Sequence, residues 1–278
     1  MDFLTSMADA SRARCEQARA VRDVSEVMRA AREAGAPAPL ILSSDGFDLI
    51  AEVKCSSPSA GQLANAALVP TAQAACYAEA GAAAVSVLTE PSRFAGKLEH
   101  LEAVAAKIAP VPAMRKDFLV DPYQVFEARA AGASGVLLIA AMLDESTLVE
   151  MLRAALELRM FALVEAFDAA DIHKCAPLMD SVGPVFEAER CRMLIGVNCR
   201  DLRTLDVDFP RFEQLAGRLP PGMPWVAESG VTTPEQAGQV AGMGYDLALV
   251  GTALMRSEDP QVAAAALLEA GRLAAPSG

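Results

Sequence analysis

The sequence has few aromatic residues and few histidines, and these shortages exclude several kinds of protein. Aromatic side chains make up 5% of the 278 residues, and His100 and His173 are its two histidines. Two histidines are too few for a histidine-rich metal site, and they leave almost no candidate for a Ser-His-Asp catalytic triad. Any acid–base chemistry must therefore rely on lysine and glutamate side chains.

Basic residues are also scarce relative to acidic ones. The chain has 24 lysines and arginines against 36 aspartates and glutamates, which gives a formal net charge of -12 at pH 7. A protein with this charge is repelled by the phosphate backbone of nucleic acids and by anionic membrane surfaces. We therefore expect neither nucleic acid nor a membrane as a partner.

Long hydrophobic runs and cysteine pairs are missing as well. The longest strongly apolar run, 136–143, is well short of the roughly 20 residues that cross a bilayer. Residues 1–20 carry charges throughout and show no signal-peptide core. The six cysteines include no C-x-x-C pair and suggest no disulfide framework. We expect a cytoplasmic protein whose cysteines serve as small buried hydrophobic residues.

The remaining composition, 53% hydrophobic and 22% charged, is typical of a globular protein. Short apolar segments with strand character alternate with segments of helical period. The strand-like segments are 49–54, 83–88, 111–116, 135–140, 161–166, 193–198, 224–229 and 247–251. The helix-like segments are 71–80, 98–108, 122–131, 145–158 and 234–243.

Consecutive strand ends lie about 28 residues apart, which is the size of one β-α unit of a parallel sheet. Eight such units predict an α/β protein with the (β/α)8 TIM barrel fold, and a doubly wound open sheet is the alternative. The prediction is a single barrel domain over 1–278. Residues 1–46 form an N-terminal helical extension in which 8–34 contain one or two helices.

Polar residues interrupt the apolar pattern where the predicted strands end. They are Glu52, Lys54, Arg115, Lys116, Glu165, Asn198, Arg200, Glu228 and Ser229. Active sites of TIM barrels lie at this end of the strands. Buried ion pairs could close the core in the same way, but desolvating lysines and glutamates at five strand ends is a costly structural solution. The cluster therefore favours chemistry on a small molecule.

Glycines and hydroxyl groups near the last two strands suggest a phosphate site. Gly230 follows the seventh strand, and Gly251 and Thr252 follow the eighth. Barrels often bind phosphate in these loops, at the start of a short additional helix. Ser57, in the loop after the first strand, could add a hydroxyl group, although such short motifs are also found in ordinary turns.

Several longer stretches resemble the indole-3-glycerol phosphate synthase family, in the same order over about 200 residues. The matching stretches are IAEVKCSSPSAG (50–61), AVSVLTEPSRFAGKLEHL (84–101), RKDFLVDPYQVFEARAAGASGVLLI (115–139), LVEA (163–166), IGVNCRDLRTLDVD (195–208), ESGVTTPEQ (228–236) and LVGTALM (249–255). The resemblance implies conversion of 1-(2-carboxyphenylamino)-1-deoxyribulose 5-phosphate to indole-3-glycerol phosphate, with loss of carbon dioxide and water. It implies no cofactor and no metal.

The resemblance also implies a role for each matching residue. Lys116 resembles the general acid of ring closure, and Lys54 resembles the lysine beside the anilino carboxylate. Glu52 and Glu165 resemble the acidic partners that stabilise iminium-like charge and accept protons, Asn198 and Ser229 resemble polar positioning groups, and Arg200 resembles a carboxylate contact. The residues that would bind the phosphate are Ser57, Gly230, Gly251 and Thr252. Further substrate contacts would be made by Phe94, Phe118 and Glu228.

Alternatives remain at this point. A phosphoribosylanthranilate isomerase type of barrel would share the phosphate site, and Cys55 near the first strand favours it, whereas the two lysines argue against it. A non-catalytic barrel subunit that binds a ligand is a second alternative. The spacing between Glu165 and Asn198 is longer than is usual in the family, and 177–192 is the predicted insertion. A family member that acts on a substrate with a modified aryl ring is therefore a third alternative. We expect a monomer, with a homo-oligomer as the alternative.

Overall fold

The computed structural model describes residues 2–57, 61–62, 69–175, 178, 193–201, 204 and 206–276. Eight parallel strands close into a barrel in the order of the chain, and the last one pairs with the first. The strands are β1 (Asp48–Val53), β4 (Ala84–Leu88), β5 (Ala113–Lys116), β6 (Gly135–Ile139), β7 (Phe161–Ala166), β8 (Met193–Asn198), β9 (Trp225–Glu228) and β10 (Leu247–Val250). The short strands β2 (Ser56–Ser57) and β3 (Gly61–Gln62) form an antiparallel pair after β1.

Helices precede the barrel and connect its strands. The helices are α1 (Phe3–Val21), α2 (Val24–Glu33), α3 (Pro70–Glu79), α4 (Pro91–Phe94), α5 (Leu98–Ile108), α6 (Pro122–Ala130), α7 (Glu145–Glu157), α8 (helical residues 169–175), α9 (Arg211–Ala216), α10 (Pro234–Gly242), α11 (Thr252–Arg256) and α12 (Pro260–Ala274), with a 3-10 turn at Ala140–Met142. All eight predicted strands are present with bounds within two residues of the prediction. The predicted (β/α)8 barrel is therefore confirmed, and the open sheet is not formed.

The predicted N-terminal extension is also present, as the two helices α1 and α2. Asp2 and Asp23 accept hydrogen bonds from backbone N–H groups in the first turns of α1 and α2, which stabilises both helix starts. Helix α1 is held to the barrel by an ion pair between Arg19 and Asp121. The hydroxyl of Tyr123 donates to the carbonyl of Arg22 between the two helices. The extension thus packs against the barrel.

Strand alternation separates two layers of the core. In β1, Leu49 and Ala51 pack outward against the helices, whereas Ile50 points into the barrel with the inward residues of the other strands. The inward positions are apolar deep in the barrel and become polar two residues later. The pairs are Ile50 and Glu52, Met114 and Lys116, Leu163 and Glu165, and Val226 and Glu228. The period of the strands therefore delivers charged side chains to the barrel mouth.

The structure also bears on the predictions about the cysteines, the insertion and membrane spans. Cys15, Cys175 and Cys199 are buried as predicted, but Cys55 and Cys76 are half-buried, because they lie at the end of a strand and on the partly covered helix α3. Apart from Leu178, the predicted insertion 177–192 lies outside the described residues. No helix in the described part of the chain has the length and apolar composition of a membrane span.

Candidate active site

A cavity opens at the carboxyl ends of the barrel strands. Every predicted site residue whose side chain the structure describes lines it. These residues are Glu52, Lys54, Phe94, Lys116, Phe118, Glu165, Asn198, Arg200, Glu228, Ser229, Gly230, Gly251 and Thr252. Ser57 forms part of β2, and its side chain lies outside the described part of the structure. The fold thus gathers residues that are up to 200 positions apart in the sequence.

Two lysines and two glutamates form the charged centre of the cavity. Lys54 Nζ donates to Glu52 Oε1 at 2.5 Å, as expected for residues two apart on one strand face. Lys116 Nζ lies 3.8 Å from Glu52 Oε2 and 3.9 Å from Glu165 Oε2. The side chains of Lys54 and Lys116 are only 12% and 17% exposed. Lys116 therefore lies between two carboxylates, and little water screens it.

For both Glu52 and Lys116, the neighbouring charges shift the pKa in the direction opposite to the shift caused by burial. Burial alone raises the pKa of Glu52, but Lys54, Lys116 and Arg200 together bring it below its ordinary value. Burial lowers the pKa of Lys116, and the surrounding carboxylates, Glu165 first, raise it above its ordinary value. Both groups are consequently charged at neutral pH, with Lys116 carrying its proton.

Glu228 is in a different electrostatic state. Burial, and then the nearby carboxylate of Glu165, raise its pKa well above the ordinary value. Both of its carboxyl oxygens are fully buried, and the neighbouring Glu165 carboxylate accepts a hydrogen bond from the protonated acid. The raised pKa favours the neutral acid form of Glu228, beside the Glu165 carboxylate.

Arg115 leaves the barrel mouth, although the sequence placed it among the polar strand ends. Its guanidinium points outward and donates to Glu127 Oε2 at 2.7 Å and to the carbonyl of Gln124. Alternation sends Arg115 to the helix side and Lys116 to the barrel side. Arg115 is thus a buried structural residue and not part of the cavity.

A network behind the cavity went unnoticed in the sequence. Asp117 Oδ1 accepts from the backbone N–H of Phe118 and from Arg14 of helix α1, and Oδ2 accepts from Thr89 Oγ1, each at 2.8 Å. Arg14 also reaches Glu90, whose carboxylate caps helix α4. Because Asp117 directly follows Lys116, this network connects the N-terminal helix to the strand that carries the lysine.

Aromatic side chains form one wall of the cavity. The rings of Phe94 and Phe118 lie 6.1 Å apart between centroids, and the ring of Phe3 meets that of Phe118 edge-on at 5.8 Å. Leu137 and Ile139 of β6 line the same cavity. The sequence predicted Phe94 and Phe118 as substrate contacts but did not predict Phe3, which lies before the segment 8–34 that was predicted to contain helices.

Glycines shape the opposite side of the cavity. Ser229 and Gly230 both have positive φ, 64° and 70°, and this turn bends the chain over the end of β9. A β-carbon at Gly230 would lie 2.7 Å from Cys199 Sγ. A β-carbon at Gly251 would overlap Glu52 Oε1. Gly251 is therefore needed to make room for the glutamate, a reason beyond the anion approach that the sequence predicted.

Asn198 and Arg200 complete the charged rim. Asn198 Oδ1 accepts the backbone N–H of Arg200 at 2.9 Å, and Arg211 donates to the carbonyl of Asn198. Both Asn198 and Arg200 line the cavity, as expected from their separation of two residues. In the described part of the chain, no group of three or more His, Cys, Asp or Glu side chains is arranged to hold a metal ion.

Solved structures resemble the fold at low sequence identity. The 3-hexulose-6-phosphate synthase of Salmonella typhimurium matches with a TM-score of 0.59 and 14% identity, over 82% of this chain and 100% of that one. The thiamine phosphate pyrophosphorylase of Pyrococcus furiosus matches with a TM-score of 0.57 and 14% identity, over 83% of this chain and 98% of that one. At such identities these likenesses support the fold alone.

Sequence relatives are much closer. An indole-3-glycerol phosphate synthase of Mycobacterium leprae (strain Br4923) is 44% identical over 89% of this chain and 87% of that protein. The protein of the same name from Mycobacterium tuberculosis (strain CDC 1551 / Oshkosh) is 43% identical over 96% of this chain and 94% of that protein. The family model for indole-3-glycerol phosphate synthase matches residues 4–267. The chain therefore belongs to the indole-3-glycerol phosphate synthase family, the decarboxylating, ring-closing lyases of tryptophan biosynthesis.

Proposed function

We propose that the cavity binds 1-(2-carboxyphenylamino)-1-deoxyribulose 5-phosphate and converts it to indole-3-glycerol phosphate. The observation that carries this proposal is the buried Lys116 ammonium, which lies within 4 Å of Glu52 and Glu165 between an aromatic wall and a glycine-rich rim. The aromatic wall fits the aryl ring, and the rim fits the phosphate. The charged centre then faces the carbons that react.

Ring closure needs an acid at the ribulose carbonyl. The ring carbon that bears the carboxylate attacks the carbonyl carbon, and Lys116 donates its proton to the carbonyl oxygen, which becomes a hydroxyl group. The raised pKa of Lys116 keeps that proton in place at neutral pH until the reaction requires it. General acid catalysis of this kind contributes typically about 10² to 10⁴ in rate.

Decarboxylation and dehydration then follow from the charge that ring closure creates. The bond between the ring carbon and the carboxylate breaks, carbon dioxide leaves, and the electron pair neutralises the iminium and restores the aromatic ring. The hydroxyl group then leaves as water after protonation, and loss of a proton from the neighbouring carbon completes the indole. Glu52 and Glu165 stabilise the positive charge at the ring nitrogen and accept protons. Lys54 is the second acid.

The remaining site residues bind and orient the substrate. Phe94 and Phe118 pack against the aryl ring, and Arg200 binds the aryl carboxylate beside Lys54. Asn198, Ser229 and Glu228 hydrogen-bond to the ribulose hydroxyls. Gly230, Gly251 and Thr252 bind the phosphate together with Ser57, because the first turn of α11 presents N–H groups that have no acceptor in their own helix. The phosphate acts as a remote anchor that orients the reacting carbons.

The test is an assay of purified protein with the anilino-ribulose phosphate. We expect indole absorbance and carbon dioxide to appear in equal amounts. Isomerisation of phosphoribosylanthranilate without carbon dioxide release would establish the isomerase instead, and binding without turnover would establish a non-catalytic barrel. The raised pKa of the half-buried Cys55 thiol argues against the isomerase, because the thiol stays protonated at neutral pH and cannot accept a proton. Substrates with substituted aryl rings, compared by kcat/KM, distinguish the unmodified substrate from an analogue.

The cellular setting and the assembly state belong to the same proposal. We place the protein in the cytoplasm, acting without a cofactor, because the described cysteines are free and the reaction requires only acids and bases. We expect a monomer. Light scattering coupled to size exclusion measures the mass, and twice the chain mass of 29.1 kDa would establish a dimer.

A further inference from the structure

Gly196 lies inside strand β8, where glycine is an unfavourable residue because it loses much conformational freedom and packs no side chain. It pairs with Glu165 on one side and with Val226 on the other. Its inward position, between Leu194 and Asn198, faces the barrel. Neither its backbone conformation nor a turn requires glycine here, so the reason must lie in the space above it.

That space is filled by the carboxyl group of Glu228. A β-carbon added at Gly196 would overlap Glu228 Oε1 and lie 3.0 Å from Glu228 Cδ. The other close neighbour, Leu163 Cδ1 at 3.1 Å, is the end of a flexible side chain. The carboxyl group would have to move farthest, and Leu163 would have to give by a few tenths of an ångström. The missing side chain therefore forms a notch in the barrel wall, and the Glu228 carboxyl lies in this notch.

The notch at Gly196 determines the position of the Glu228 carboxyl group. Glu228 is 1% exposed and lines the cavity, and its carboxyl group meets Glu165 on one side and the notch at Gly196 on the other. The packing at the notch therefore sets the position of the carboxyl group together with its contact to Glu165. Filling the notch would push the carboxyl group from its place beside Glu165 and into the cavity that the substrate occupies.

We infer that Gly196 is a positioning residue, whose missing side chain seats the Glu228 carboxyl group where it can hydrogen-bond to the bound substrate. This inference rests on the proposed function for the identity of the substrate. It does not assign Gly196 any contact with the substrate. Its effect on the reaction must pass through Glu228, which makes the two residues energetically coupled.

Three variants test the coupling: Gly196→Ala, Glu228→Ala and the double variant. Each single variant should lower kcat/KM by about tenfold, the size of one lost hydrogen bond to an uncharged group. The double variant should lose no more than either single one, because without the carboxyl group the added methyl has nothing to displace. Gly196→Ala should also lower Tm by several degrees in the parent chain and not lower it in the Glu228→Ala chain.

A matched control is Gly135→Ala, another glycine in a barrel strand. A β-carbon there would overlap the ring of Phe161 and no carboxyl group. This variant should lower Tm with kcat/KM unchanged in the fraction that folds. A rescue variant, Gly196→Ala combined with Glu228→Asp, shortens the acid by one methylene and should recover part of the activity that Gly196→Ala loses.

Each outcome decides the inference. Multiplying losses in the double variant, or the same fall in Tm in both backgrounds, would overturn it. If Gly196→Ala does not fold, folding of the double variant supports the notch, and failure of the double variant to fold refutes it. A parent protein without lyase activity would refute the proposed function instead, and the Tm comparison would still test the role of Gly196.

Discussion

Glu52 and Glu228 differ in charge although their surroundings are alike in other ways. Both point into the barrel mouth, from strands on either side of β10, and they are 4% and 1% exposed. Each would overlap a β-carbon placed at a nearby glycine, Gly251 for Glu52 and Gly196 for Glu228. The pKa of Glu52 nevertheless lies below its ordinary value, whereas that of Glu228 lies well above it.

The neighbours explain the difference. Glu52 has Lys54 at 2.5 Å and Lys116 at 3.8 Å, whereas the strongest charged neighbour of Glu228 is the carboxylate of Glu165. Burial disfavours the charged form of both acids to a similar degree, so the sign of the nearest charge decides which one ionises. Two glutamates in one cavity thus serve as an anion and as a neutral acid.

The largest expected effect concerns Lys116, the cation on which this comparison depends. Lys116→Met keeps most of the side-chain volume and removes the proton donor, so kcat should fall by about 10² to 10⁴. Steady-state assays of indole formation measure the fall. Lys97→Met, at an exposed lysine before helix α5, is the control and should leave kcat unchanged. Near-normal kcat in a folded Lys116→Met protein would transfer the role of the acid to Lys54.

The second prediction concerns stability and separates the two glutamates directly. The lowered pKa means that the Glu52 carboxylate stabilises the fold above its unfolded pKa, with a reference value of 4.5, and that this stability is lost as the pH falls. Glu52→Gln should therefore cost about 3 to 5 kcal/mol at pH 7, the usual loss when a buried pair is broken. The difference should stay constant down to about pH 4.5 and shrink as the pH falls further, which urea unfolding across this range measures.

Glu228→Gln should have the opposite sign. Because the pKa of Glu228 is raised, the folded protein keeps a proton that the unfolded chain releases above pH 4.5, so the wild type loses stability as the pH rises. An uncharged amide removes that loss, so the variant should be more stable than the wild type at pH 8 and equally stable at pH 4. Urea unfolding at both pH values measures this, and a loss at pH 8 would contradict the neutral state of Glu228.

The third prediction concerns Gly251→Ala, which should displace the ionised Glu52 by steric overlap. A β-carbon there would overlap Glu52 Oε1 and lie 2.8 Å from Lys54 Nζ, so the ion pair must shift. We expect KM to rise about tenfold and kcat to fall as well, since one lost hydrogen bond of about 1.4 kcal/mol corresponds to a factor of ten. Gly217→Ala, where a β-carbon meets nothing within 4 Å, should change neither value. An unchanged KM for Gly251→Ala would place the phosphate elsewhere.

The smallest expected effect concerns Arg14 of helix α1, which forms ion pairs with the buried carboxylates of Glu90 and Asp117. Arg14→Ala leaves Asp117 and Glu90 without the cation from helix α1, and kcat/KM should fall severalfold because Asp117 holds the segment between Lys116 and Phe118. Arg12→Ala on the same helix removes an exposed pair with Asp9 and should cost less than about 1 kcal/mol with no loss of activity. Equal effects of the two variants would show that Arg14 does not support the site.

The order of elements was readable in the sequence because it follows from local periods, and the residues that line the cavity were largely predicted from the strand ends and the family resemblance. The alternation of strands and helices predicted the barrel, and the period of two predicted that Glu52 and Lys54 share a face. The same rule, applied to Arg115 and Lys116, separates the residue on the helix side from the residue in the cavity. The motif from Arg115 to Ile139 supplied the family.

Distant contacts decided the rest. Phe3 joins the aromatic wall across 115 residues of chain, and Arg14 reaches Asp117 across 103, so no local pattern indicates either contact. In the sequence, Gly196 is only an unfavourable residue within a strand, and its reason becomes visible in the structure, where the Glu228 carboxyl group occupies the space of a side chain. The sequence by itself determined which strand residues face the barrel interior, because strand period is local. Only the tertiary structure decided their charge states, because these depend on which side chains the closed barrel brings within a few ångströms of one another.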